Sequence, residues 1–271
     1  MKQILLLSLI FIQLNIFSQK EKPTISTFEI SEKIKIDGIL EESVWKKSEV
    51  ASDFYISYPM DTSYALTKTE ARILYDKKNI YVSAVCHDKL EGDYIIQSLK
   101  RDFSYPRSDA FSFILEPYGD NANGYSFAVN PYGVQREGLI QGGGSQGVTT
   151  AWDNLWYSAV KRYKDKWVVE IAIPFTSLGF NEGLTKWKVN FTRNNLKRNE
   201  SSSWASVPRN QNIASLAFCG TLNWDKPIKK TSPKIAVIPY VSGNTNTNYE
   251  SKESELGYNA GVDAKIGIGS A

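Results

Sequence analysis

"FILEPYGDNANGYSFAVNPYG", residues 113–133, sets two aromatic segments on either side of a short polar turn. Alternation puts Phe111, Phe113 and Leu115 on one face of the first segment. It puts Tyr125, Phe127 and Val129 on one face of the second. That period of two is the signature of half-buried strands. The turn holds Asp120, Asn121 and Asn123, residue types that hydrogen-bond turn backbone and tolerate left-handed geometry. A plain hairpin accounts for the stretch. The alternative is a calcium loop with Glu116, Asp120, Asn121 and Asn123 as oxygen ligands, since calcium takes about six to eight hard oxygens. The spacing is not that of an EF-hand, which needs an acid at the twelfth loop position.

The same period continues outward. Residues 71–88 read as a strand, a tight turn at Asp76–Asn79 and a second strand with Ile80, Val82, Ala84 and Cys86 on one face. Trp167, Val169, Ile171 and Ile173 align, as do Trp187, Val189 and Phe191. Short strands punctuated by Gly, Pro, Asn and Asp predict an all-β fold, a β-sandwich, over residues 19–225. The pattern predicts a short helix over "ILEESVWKKSEV" (39–50), with Leu40, Val44 and Trp45 facing inward.

The two ends of the chain read differently. Lys2 and an apolar run from Ile4 to Phe17 form a secretory signal peptide over residues 1–18, so the protein is expected to be exported. Residues 226–233 are basic and Pro-containing and read as a linker. From 234 to 271 two more strands follow. In the second, Tyr258, Ala260, Val262, Ala264, Ile266 and Ile268 share a face opposite polar residues and glycines. Apolar-out, polar-in alternation over about ten residues suits an outer-membrane barrel strand. The expectation is a sandwich, periplasmic or surface-exposed, at the front of a longer chain whose remainder is a transmembrane β-barrel. A net charge of +3 is too small and dispersed for nucleic-acid binding. Cys86 and Cys219 could pair in an oxidising compartment, but spacing cannot decide it.

The chemistry-bearing motifs favour binding over catalysis. "WDNLW" (152–156) sets Trp152 and Trp156 beside Asp153 and Asn154. Aromatic faces plus carboxylate and amide are what a sugar ring requires, although a tryptophan in a sandwich also serves as core. "RNNLKRNESSSWASVPR" (193–209) contributes Trp204 and Arg209 as recognition residues, and Arg136 lies near the opening hairpin. "GGGSQG" (142–147) matches a serine nucleophile elbow at Ser145, but no helix follows it and the chain has a single histidine, His87. Haem ligation by His87 or Met60 is a further alternative. No nucleophile–base set supports an enzyme.

Several segments together resemble the family 9 carbohydrate-binding modules. They are "IDGILEESVW" (36–45), "YDKKNIYVSAVCHD" (75–88), "SDAFSFILEPYGD" (108–120), "GYSFAVNPYG" (124–133), "WVVEIAIPFTSLGF" (167–180) and "FCGTLNW" (218–224). The D-G-x-x-x-E-x-x-W opening and the E-x-x-I-P-F-x-x-L strand carry the resemblance most specifically. It implies a β-sandwich that holds an oligosaccharide or polysaccharide between two tryptophans, with calcium as a structural ion. "YSFAVNPYG", "WDNLWYS" and "SSSWASVPR" are similar to an outer-membrane subgroup in which such a module precedes a barrel. There are departures. Ser112 stands where sugar-binding members carry a glutamate, and no arginine stands beside Phe127 and Ala128. The expected function is non-catalytic glycan binding; the alternative is a structural or plug domain of a transport barrel.

Overall fold

The structure, a computed structural model, describes residues 21–229, 235–248, 250 and 253–266. The signal-peptide reading at 1–18 lies outside the described residues. In chain order the elements are β1 (Thr24–Thr27), α1 (Ser43–Lys47), β2 (Tyr55–Tyr58), β3 (Thr69–Tyr75), β4 (Asn79–His87), β5 (Ala110–Glu116), β6 (Gly124–Val129) and β7 (Gln135–Ile140). There follow β8 (Val148–Thr149), β9 (Tyr157–Arg162), β10 (Lys166–Pro174), β11 (Lys186–Asn195), β12 (Glu200–Ser203), β13 (Gly220–Trp224), β14 (Ile235–Asn248) and β15 (Glu253–Ile266).

Two sheets face each other. The larger runs β1-β13-β11-β5-β6-β7-β8, with β12 pairing β11 and β2; the smaller runs β3-β4-β10-β9. The alternation read from the sequence is the one that builds the core. Phe111, Phe113, Leu115, Phe127 and Phe191 from the larger sheet meet Ile73, Val82, Ala84, Val169 and Ile171 from the smaller in one buried cluster. The turn at Asp76–Asn79 closes as expected, with the Asp76 carboxylate accepting the N–H groups of Lys78 and Asn79.

The outer face of the smaller sheet is covered by residues 28–47. Val44 and Trp45 of α1 pack on Leu74, Tyr81 and Ala172. The helix is only five residues, shorter than the expected 39–50. Glu42 is still extended, and the Asp37 carboxylate holds the Ile39 N–H in a turn. Beneath this cover lies Glu170 of β10, fully buried. Its carboxylate accepts the N–H groups of Asp37 (3.1 Å) and Gly38 (2.9 Å) and the Trp45 Nε1–H (3.2 Å). The two most specific sequence motifs therefore bond directly to each other. Gly38 is required here: its φ is +82°, and a Cβ would meet the Lys161 backbone nitrogen at 2.7 Å.

The cysteines do not pair. Cys86 is buried in the core between the sheets, and Cys219 sits in a separate cluster with Ile114, Ile140, Ala214 and Leu216. The expected linker at 226–233 begins while the chain is still on the sandwich. The Asp225 carboxylate accepts the Tyr75 hydroxyl, Lys226 pairs with Glu29, and Ile228 is buried in the core. Residues 230–234 lie outside the described residues.

Beyond them, β14 and β15 form an antiparallel hairpin of fourteen residues a strand. Cross-strand register puts Val237, Pro239 and Val241 opposite Ala264, Val262 and Ala260 on one face. That face is bare: Val241 is 84% exposed and Tyr258 76%. Ile268, expected on the same face, lies outside the described residues. No helix among the described residues is long and apolar enough to cross a membrane, which leaves open crossing by strands.

Candidate functional site

The residues singled out in the sequence fall into separate neighbourhoods. Trp152 and Trp156 precede β9 and turn inward to cover the open side of the sandwich. Trp156 is 3% exposed, and its ring meets Phe127 edge-on at 5.3 Å. Trp152 packs on Tyr125 at 5.2 Å and on the same Phe127 at 6.2 Å. The pair grips a phenylalanine of β6 rather than framing an open slot. Trp156 is therefore part of the core, while Trp152 stays half-buried at its edge. Asn154 is a structural clasp: its Nδ2–H donates to the Ser177 carbonyl at 2.6 Å, and its own carbonyl accepts from Arg101. Arg101 in turn pairs with buried Glu137 of β7. Asp153 is exposed.

Arg136 lies elsewhere. Register aligns Thr192, Ser112, Ala128 and Arg136 in one row across the outer face of the larger sheet. This is the row where the family resemblance expects a sugar-bonding glutamate. Ser112 is buried and shares a hydrogen bond with Ser126 at 3.1 Å. Phe103, Tyr105 and Val134 cover this face, and the Tyr105 hydroxyl reaches Thr192 at 2.7 Å. Burial pushes the Tyr105 phenol far above its usual range. The row is roofed by protein, and Arg136, half-buried beside Asp102 and Tyr105, belongs to that roofed face.

The turn after β5 is held chiefly by its own carboxylates, with Glu116 Oε2 left buried and without a hydrogen-bond partner. Glu116 is fully buried, and its Oε1 accepts the N–H groups of Tyr118, Gly119 and Asp120. Asp120 accepts the N–H groups of Ala122 and Asn123 and the Asn123 side-chain amide. These bonds hold its carboxyl below the usual range despite some desolvation. Asn121 supplies the left-handed residue, with φ at 58°. These N–H donors occupy lone pairs of Glu116 Oε1 and of both Asp120 oxygens that a cation would otherwise use. Among the described residues no cluster of three or more His, Cys, Asp or Glu side chains is placed to hold a metal.

The remaining motifs fall at separate places. Ser145 is exposed in a short turn, and its hydroxyl points back to the Gly142 carbonyl at 3.5 Å. His87 ends β4 with its Nε2 3.2 Å from Glu70, so the ring serves a surface pair, and Met60 lies on the separate, exposed loop after β2.

Trp204 and Arg209 lead to a feature the sequence reading missed. Residues 53–65 form a small ribbon: Ile56 N–H donates to Ser63 O and Ala65 N–H to Phe54 O. The ribbon stacks Tyr55 on Tyr64 with centroids 4.4 Å apart and their hydroxyls bonded at 2.8 Å. Donating that proton to Tyr64 pushes the Tyr55 phenol up to about 12. The β2–β12 pairing brings this ribbon beside Trp204, which follows β12 and packs on Phe191. Between them opens a cleft of about 530 Å³, walled by Tyr55, Tyr64, Trp204 and Phe218 and carrying the polar groups of Glu49, Ser52, Asp53 and Ser206. Tyr64 is 56% exposed. Arg209 stands at its margin, its guanidinium 5.9 Å from the Tyr58 ring and its N–H on Asp61. Asp53 holds a left-handed φ of 58° on the cleft wall, a conformation that Asp tolerates better than most residues. The only sequence signal was three tyrosines within ten residues of a turn-rich stretch, "YISYPMDTSY" (55–64).

Comparison with known proteins follows the same lines. The profile of the family described as carbohydrate family 9 binding domain-like matches residues 36–215, well over half of the chain. Among solved structures, a family 9 carbohydrate-binding module of Caldicellulosiruptor kristjanssonii in complex with cellotriose superposes with a TM-score of 0.53 at 15% identity, covering 75% of this chain and 94% of that one. The same organism's module with glucose gives 0.51 at 15% identity, covering 78% and 98%. A Bacteroides uniformis protein classed provisionally as carbohydrate-binding gives 0.58 at 16% identity, covering 76% and 100%. At this identity the structural likeness establishes the fold. Among curated proteins none matches.

Proposed function

The chain belongs to the carbohydrate family 9 binding domain-like family, and from that premise we propose that it is a non-catalytic glycan-binding module. The observation that carries the reading is the cleft between the Tyr55–Tyr64 stack and Trp204. Its volume of about 530 Å³ lies within the range of small-ligand sites. The exposed ring of Tyr64 suits the C–H face of a pyranose, with half-buried Tyr55 and buried Trp204 forming the wall behind it, and the Asp53, Ser52 and Ser206 groups suit its hydroxyls. This placement differs from the roofed row at Ser112 and from the buried Trp156 with its half-buried neighbour Trp152.

The hairpin supports the second half of the reading. Two fourteen-residue strands with one bare apolar face exceed the nine to eleven or so residues that a tilted strand needs to cross a bilayer. An open edge cannot sit in lipid, so the pair requires closure by further strands. The module is thus proposed to be exported and tethered to an outer-membrane barrel that these strands begin.

The test is calorimetric titration of the purified chain with cellotriose, glucose and a panel of other neutral oligosaccharides. Saturable binding that is lost in Tyr64→Ala and weakened in Asp53→Ala, with unfolding curves unchanged, is the expected result. Absence of binding across the panel, or binding insensitive to both substitutions, refutes this site.

A further inference from the structure

Three tyrosines at the end of the sandwich where β4 and β9 finish each carry a cation on the ring. The Arg162 guanidinium lies 4.2 Å from the Tyr132 centroid, Lys197 Nζ 4.5 Å from Tyr94, and Lys166 Nζ 5.4 Å from Tyr163. Two adjoining clefts of about 380 and 530 Å³ open at this spot and share Gly92 and Tyr94. Their combined lining carries five lysine or arginine side chains against three carboxylates. The Tyr55–Tyr64 cleft has the opposite balance, three carboxylates against one lysine.

The two kinds of cation here do different work. Lys197 is a scaffold: its Nζ pairs with buried Asp88 at 3.1 Å and donates to the carbonyls of Leu90 and Gly92, fixing the loop that forms the floor. Arg162 is exposed at the end of β9, and among the described residues no carboxylate lies within ion-pair distance of it. A planar guanidinium held over an aromatic ring presents its remaining N–H edge in a fixed orientation, the arrangement that favours bidentate carboxylate recognition. Tyr132 and Tyr163, 38% and 40% exposed, line the two adjoining clefts and leave part of each ring open.

We propose that this end of the sandwich is a second saccharide site, separate from the Tyr55–Tyr64 cleft, that takes a sugar bearing a carboxylate. Arg162 receives the carboxylate, and the Tyr132 and Tyr163 rings receive the apolar faces of the flanking residues of the chain. Attraction between a polyanionic chain and Arg162 with its exposed neighbours Lys161 and Lys164 strengthens capture at low ionic strength.

The experiment is calorimetric titration of the purified chain with oligogalacturonate and with a neutral cello-oligosaccharide of equal length, at low and at physiological ionic strength. Oligogalacturonate binding that weakens with salt is expected. Arg162→Gln should reduce it about tenfold, the worth of one charge-assisted hydrogen bond. Tyr163→Ala should weaken it, and Tyr64→Ala should leave it unchanged. Arg162→Lys, which keeps charge but loses the fork, should fall between wild type and Arg162→Gln. Both side chains are exposed, so unchanged thermal unfolding of the variants confirms that the loss is local. No oligogalacturonate binding at low salt overturns the proposal. So does binding insensitive to Arg162→Gln and Tyr163→Ala, or binding lost in Tyr64→Ala. Since the neutral glycan is read in parallel, failure here is distinct from failure of the first cleft.

Discussion

Replacing Glu170 by Ala removes one side chain and leaves three donors without an acceptor. The Asp37 amide is half-exposed and can turn to water. The Gly38 amide and the Trp45 Nε1–H lie under the 28–47 cover and cannot. An unsatisfied buried donor costs about 1–3 kcal/mol, so two of them, with partial relaxation, set the loss at about 3–4 kcal/mol. Against a total stability of about 5–15 kcal/mol that is a large fraction. Urea unfolding followed by tryptophan fluorescence measures it. Glu170→Gln keeps a carbonyl oxygen for the two amides and loses chiefly the Trp45 bond, so about 1 kcal/mol is expected. The pH dependence supplies an independent check. Burial, opposed by the two backbone N–H groups, raises the Glu170 carboxyl to about 7 from an ordinary 4.5. The folded state therefore binds more protons than the unfolded state between those values, and this group's contribution to stability grows as pH falls from about 7 to about 4.5. The Gln variant should lose that slope. A loss below about 1 kcal/mol for Glu170→Ala, together with an unchanged pH profile in Glu170→Gln, would refute the view that this carboxylate ties the N-terminal cover to the sheet.

Trp156→Ala should cost about 3–5 kcal/mol, the range for large core aromatics, and a melting curve will show whether it acts on stability rather than on ligand affinity. Ser112→Glu, which restores the residue the family resemblance expects, should lower stability by several kcal/mol, since the roof of Phe103 and Tyr105 desolvates the charge and fills the space the longer side chain needs; chemical denaturation checks this. Asp120→Ala should cost about 1 kcal/mol through its lost turn hydrogen bonds, while calcium added to the wild-type chain should leave the melting temperature unchanged. A calcium-dependent rise abolished by Asp120→Ala would overturn the turn's assignment as self-satisfied.

The sequence determined the strands and their buried faces, because period-two alternation is a local pattern and each face needs only to know which side is apolar. Phe111 to Leu115, Ile80 to Cys86 and Trp167 to Ile173 are buried as read. The bare face of the last hairpin was legible for the same reason. Tertiary structure decided which aromatics are open to ligand, since burial depends on what packs from elsewhere in the chain. Trp152 and Trp156 looked like a sugar clamp from their spacing, yet Phe127, some twenty-five residues upstream, lies against both rings. Tyr55 and Tyr64 showed no regular period, yet a ribbon and the β2–β12 pairing leave them on the wall of a cleft. Likewise the two motifs that identified the family lie more than a hundred residues apart in sequence, and only the folded chain brings Glu170 beneath Gly38 and Trp45.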